Sequence, residues 1–126
     1  MKDWHTVCEL SSILPDTGVC ARVGIAQVAV FRVGDEVYAL GNTDPFSGAN
    51  VLARGIIGCA GGVLKVASPM YKQSFALETG RCLDDDTVAV PTFPTRVRAG
   101  IVEVAAAQYR DAGVSRRVAQ RGGPRG

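Results

Sequence analysis

With 126 residues, the chain falls within the usual size of one domain and is long enough to bury an apolar core without disulfide or metal staples. Its 47% hydrophobic and 21% charged content is that of a globular protein, and no run approaches the roughly 18 consecutive apolar residues of a membrane helix. The net charge of +2 hides an asymmetry: residues 1–104 carry nine Lys/Arg against eleven Asp/Glu, whereas residues 105–126 carry five Arg and one Asp. The body has too little positive charge and too few aromatics to read as a nucleic-acid domain, so neither nucleic acid nor membrane is expected as a partner. The start, Met1-Lys2-Asp3-Trp4-His5-Thr6, lacks the apolar stretch of a secretory signal, which predicts a cytoplasmic location.

Residues 4–10 read as a first strand, and the turn formers of 11–18 then gather around Ile13 and Leu14, with room for a short helical turn. Short β-branched runs follow at 19–23, 27–33 and 36–40, broken at Gly24 and Gly34-Asp35 as hairpins punctuate a meander. Val28, Val30 and Phe31 suit the buried side of one strand, and Val37 and Leu40 that of its neighbour. Residues 42–53 break the pattern with Asp44-Pro45, Ser47-Gly48 and Asn50 and form a first long loop. Runs at 56–60 and 63–67 flank Gly61-Gly62, a two-residue turn able to supply positive φ. A second loop at 68–72 is followed by a strand at 74–77, a turn at Glu78-Thr79-Gly80 and the acidic stretch Asp84-Asp85-Asp86. Residues 94–98 and 101–104 close the domain as a hairpin over Ala99-Gly100. Residues 104–110 have helical propensity that Gly113, Gly122-Gly123 and Pro124 cut short, predicting a frayed helix followed by disorder. The expected fold class is therefore all-β, an antiparallel sandwich or small barrel over 1–104 with a basic tail over 105–126.

Little in this sequence can do chemistry. Cys8, Cys20, Cys59 and Cys82 are spaced by 12, 39 and 23 positions, so no C-x-x-C pair suggests a metal site or redox motif, and reduced, buried thiols are expected. His5 is the only histidine and reads as a strand-face residue. Ser68 lacks a general base, so no Ser-His-Asp arrangement is available. Gly58, Gly61 and Gly62 precede no helix and no Lys-Ser/Thr, which excludes a phosphate-binding loop. The acidic stretch lacks the alternate ligands of a calcium loop and reads as a solvated turn. No catalytic residue and no metal ligand set is expected. The tail arginines Arg110, Arg116, Arg117, Arg121 and Arg125 suit either solubilisation or contact with an acidic surface.

The two loops carry a resemblance. Gly41-Asn42-Thr43-Asp44-Pro45-Phe46 and Ser68-Pro69-Met70-Tyr71-Lys72-Gln73, together with Leu14-Pro15-Asp16-Thr17-Gly18-Val19-Cys20 and Val51-Leu52-Ala53-Arg54-Gly55, resemble Rieske ferredoxins. Such domains hold their cluster at two loop tips at one pole, with a C-x-H pattern in the first loop and a C-x-x-H pattern in the second. Here Asn42 and Asp44 stand at the first pair of positions and Ser68 and Tyr71 at the second. A Rieske cluster takes two cysteines and two histidines, soft donors that these four residues do not supply, so no cluster is expected on this chain. The pattern is similar to the small-subunit family of assimilatory NAD(P)H-dependent nitrite reductases, a resemblance that covers about residues 4–104. It implies an accessory role beside a large catalytic subunit carrying FAD, a [4Fe–4S] cluster and siroheme, which reduces nitrite to ammonium. It further implies that the loop pole docks on that subunit, with Pro45, Phe46, Pro69, Met70, Tyr71 and Lys72 as contacts. Asn42 and Asp44 are expected to cap a turn before Pro45, and Tyr71 either to bury its ring between the loops or to face the partner. The alternative is a free-standing Rieske-like interaction or regulatory module without redox activity.

Overall fold

The computed structural model describes residues 3–106, which fold into ten strands in three antiparallel sheets. The strands are β1 (Trp4–Glu9), β2 (Thr17–Val23), β3 (Ala26–Val33), β4 (Glu36–Gly41), β5 (Ile56–Ala60), β6 (Val63–Ala67), β7 (Ser74–Ala76), β8 (Thr92–Phe93), β9 (Thr95–Arg98) and β10 (Ile101–Ala105). The central sheet runs β2-β3-β4-β8, with β1-β10-β9 and β5-β6-β7 as separate three-stranded sheets.

The run Val28-Ala29-Val30-Phe31 on β3 is buried at every position because the central sheet bears a core on each face. Ala29 and Phe31 join Leu40, Leu52, Val66, Phe75 and Leu77 in one core, toward β5-β6-β7. Val28 and Val30 join Ile13, Val37, Ala39, Val102 and Val104 in the other, toward β1-β10-β9. Alternate side chains of one strand thus feed two cores, and the expected burial of Val28, Val30, Phe31, Val37 and Leu40 is observed.

The local chemistry that makes the turns is also visible. Gly61 and Gly62 adopt φ of 58° and 83° between β5 and β6, which pair in register from Ile56↔Ala67 to Ala60↔Val63. Short 3-10 turns occupy Leu10–Ser12 and Leu52–Arg54. Gly55, just after the second of these, lies against β6 so closely that a Cβ there would meet the Ala67 carbonyl oxygen and Val66 Cγ2 at 2.5 Å. Only glycine lets the end of the first loop touch the strand that leads into the second.

Two expectations are corrected and one strand is added. The helical propensity from residue 104 yields to pairing, since Val104 and Ala105 belong to β10, opposite His5 and Trp4 of β1. Residues 107–110, and with them most of the expected tail, lie outside the described residues. Strand β8 escaped sequence reading because it is two residues long and exists only through its pairing with Ala39 and Leu40. Finally, the thiols are all free, but Cys20 and Cys59 are exposed and Cys8 is half-buried; only Cys82 is buried, and burial pushes its thiol pKa up.

Candidate functional site: a loop pole with its ligand positions closed

The first loop leaves β4 at Asn42 and the second links β6 to β7, so the two come from different sheets and meet at one end of the molecule. Asn42 is buried. Its Oδ1 accepts from the Ala53 N–H at 2.8 Å, its main-chain carbonyl accepts from Leu52 N–H at 3.1 Å, and its Nδ2 donates to Cys20 Sγ at 3.4 Å. The side chain therefore fastens the 3-10 turn to the loop, eleven residues on, rather than capping its own turn as expected.

Asp44 does cap its turn. Its Oδ1 accepts from Phe46 N–H at 2.8 Å across Pro45, and its main chain closes the loop through Asp44 N–H to Ala49 O and Gly48 N–H to Asp44 O. The other carboxylate oxygen, Oδ2, accepts from the Ser68 hydroxyl of the second loop at 2.5 Å. Both residues are sealed from solvent, with Asp44 at 0% and Ser68 at 1% exposure. Ser68 Oγ in turn accepts from Met70 N–H at 3.2 Å, while its main chain bonds Lys72 N–H and Gln73 O. The hydroxyl's single proton and one lone pair are thus assigned, and the buried carboxylate has a donor on each oxygen.

Tyr71 is 59% exposed, so its ring is not buried between the loops, the first of its two expected positions. Around it Pro45, Pro69, Met70 and Lys72 are also exposed. Phe46 is half-buried, its ring 6.2 Å from that of Phe75 and tilted by 45°, so much of its apolar surface is spent on the core. Lys72 holds φ at 70°, a left-handed backbone that non-glycine residues rarely adopt. Leu83, 46% exposed, was missed by sequence reading; it reaches the neighbourhood of the second loop through its N–H bond to Ser74 O. Nothing in a leucine next to three aspartates signals such a position. The acidic stretch is more structured than a solvated turn: Asp84 Oδ2 accepts from Ser74 N–H, and the Thr87 hydroxyl and N–H hold the Asp85 carboxyl below its ordinary range.

Comparison with known proteins settles the family. Residues 3–105 match the model of the Rieske-like [2Fe-2S] domain. The chain is 44% identical over 106 residues to the nitrite reductase (NADH) small subunit of Escherichia coli, covering 82% of this chain and 98% of that one. The chain belongs to the nitrite reductase small-subunit family. The NMR structure of the E. coli protein NirD superposes with a TM-score of 0.78 at 44% identity, covering 83% of this chain and 97% of that one. A region of the nitrite reductase [NAD(P)H] large subunit of Klebsiella oxytoca is 47% identical over 103 residues, 82% of this chain but 11% of that longer one.

For this small-subunit relative, the residues at the four positions do not fit a [2Fe–2S] cluster. Three of them supply hard oxygen or amide groups that are buried and already hydrogen-bonded within the protein, and the fourth is a phenol facing outward. Among the described residues no group of three or more His, Cys, Asp or Glu could hold a metal ion. Nor is any described helix long and apolar enough to cross a membrane. Two surface grooves, of about 440 and 370 Å³, are lined by none of the four positions.

Proposed function

We infer that this protein acts in the cytoplasm as the accessory small subunit of an assimilatory nitrite reductase, docking by its loop pole on a large subunit that carries FAD, a [4Fe–4S] cluster and siroheme. The observation that carries the reading is the near full-length match to small subunits, combined with ligand positions that are closed by internal hydrogen bonds. A chain so arranged supports electron transfer from NAD(P)H to nitrite without holding an electron itself. The K. oxytoca large subunit adds support, because there a related domain is part of the same chain as the rest of the large subunit.

Docking at the pole rests on its surface. Met70 and Tyr71 are large, apolar and exposed, flanked by Pro45, Pro69 and the cation of Lys72. Aromatic and methionine side chains of this kind are enriched at the centres of protein interfaces. In co-expression with the large subunit of the same organism, Lys72→Glu combined with Tyr71→Ala is expected to reduce the recovered complex at least tenfold while the isolated variant stays folded. An undiminished yield of complex would remove the pole from the interface. If the wild-type protein captures no siroheme-containing chain at all, the free-standing interaction module becomes the better reading.

A further inference from the structure

We propose that Asp44 and Ser68 are positioning residues, tying together the two loops of the docking face in the place where a Rieske ferredoxin ties them with its cluster. The proposal rests on the reading of the pole as the docking face, and goes beyond it by naming what holds that face in shape.

The two residues occupy one former ligand position in each loop and are 24 residues apart in sequence. The Ser68 hydroxyl donates to Asp44 Oδ2 at 2.5 Å, and both groups are shielded from water. The tie continues in both directions. Asp44 Oδ1 accepts from the N–H of Phe46, and Ser68 Oγ accepts from the N–H of Met70. A continuous relay therefore runs from the backbone of Phe46 in the first loop to the backbone of Met70 in the second, every donor and acceptor in it paired. Networks of this kind, fully satisfied and dry, hold a single geometry and fail when one member is removed. The loops are otherwise delivered by different sheets, β4 on one side and β6 and β7 on the other. A face assembled from two such segments binds a partner without first losing loop freedom only if the segments are fixed beforehand.

The test uses the full-length protein and its cognate large subunit. Ser68→Ala, Asp44→Asn and the double variant are compared by amide hydrogen exchange, thermal melting and the Kd of the complex. Exchange in residues 43–50 and 69–73 is expected to rise at least tenfold in each single variant while the strands of the central sheet stay protected. The Kd is expected to weaken about tenfold, and the double variant to be little worse than the worse single one, because both break the same link. Should Ser68→Ala prove unfolded, Ser68→Cys keeps a donor at the same position, weaker and somewhat bulkier than the hydroxyl, and is expected to fall between wild type and Asp44→Asn in both readouts. Unchanged loop exchange would overturn the tie. Loosened loops with an unchanged Kd would overturn the positioning role. A wild-type protein that does not bind the large subunit would instead refute the docking reading, and loop exchange alone would then judge the tie.

Discussion

The first loop turns both of its ligand-position side chains inward, whereas the second turns one in and leaves one out: Asn42, Asp44 and Ser68 are buried while Tyr71 is 59% exposed. The first loop is also braced across itself, through Asn42 to Leu52 and Ala53 and through the Thr43 hydroxyl to Asn50 Oδ1, and is tied to the central sheet by the bonds of Asn42 to Cys20 and Gln27. The second loop is fixed at its base by Ser68 and Gln73 but carries its tip, Pro69 to Lys72, in solvent. Four positions that share one duty in a cluster-binding relative have thus parted into three internal fasteners and one exposed side chain. Sequence position alone does not carry a role once the shared ligand is gone; the partner each side chain finds decides it.

The contrast can be broken most forcefully where the loops meet the body. Gly55→Ala is expected to cost about 3 kcal/mol, because the added Cβ lies 2.5 Å from a backbone oxygen that cannot yield cheaply. Urea unfolding would show it as a lowered midpoint with an unchanged slope. Next in size, Asn42→Ala leaves the buried Ala53 N–H without its partner, an expected loss of about 2 kcal/mol in the same measurement. If this variant proved neutral, the inward-facing role of the first loop would lose its support. The smallest effect belongs to the tip and has the opposite sign. Lys72 sits at φ 70°, so Lys72→Gly relieves the left-handed penalty and is expected to raise stability by about 0.5 kcal/mol, net of glycine's larger entropy loss. Affinity for the large subunit should fall in the same variant. Stability and binding moving in opposite directions would mark the tip as a place where strain is retained for contact.

Most of the strand content was legible in the sequence, because period, β-branched runs and glycine turns are local signals: 63–67 and 36–40 fall on β6 and β4 with errors of at most one residue. What escaped was created by distant partners. Strand β8 is two residues that become a strand only against β4, and the 3-10 turn at Leu52–Arg54 is held by Asn42 ten residues upstream. At the pole the four positions could be named from sequence, yet their burial could not. An asparagine and an aspartate before a proline look like surface turn formers, and only the Ala53 amide and the Ser68 hydroxyl turn them into interior groups. For Tyr71, a tyrosine between two loops could bury its ring as readily as present it, and the exposure of the ring excludes only the first.

The pairing of Trp4 with Ala105 brings the two ends of the described domain side by side at one edge of a sheet. A domain whose entry and exit are neighbours can be spliced into or appended to a longer polypeptide without rerouting any strand. Joined in this way, as the related region of the K. oxytoca chain is, it meets its catalytic partner at an effective concentration on the order of millimolar, set by the connecting linker rather than by expression level. Kept separate, the same domain must find that partner by diffusion, and its concentration in the cell then sets how often the two meet.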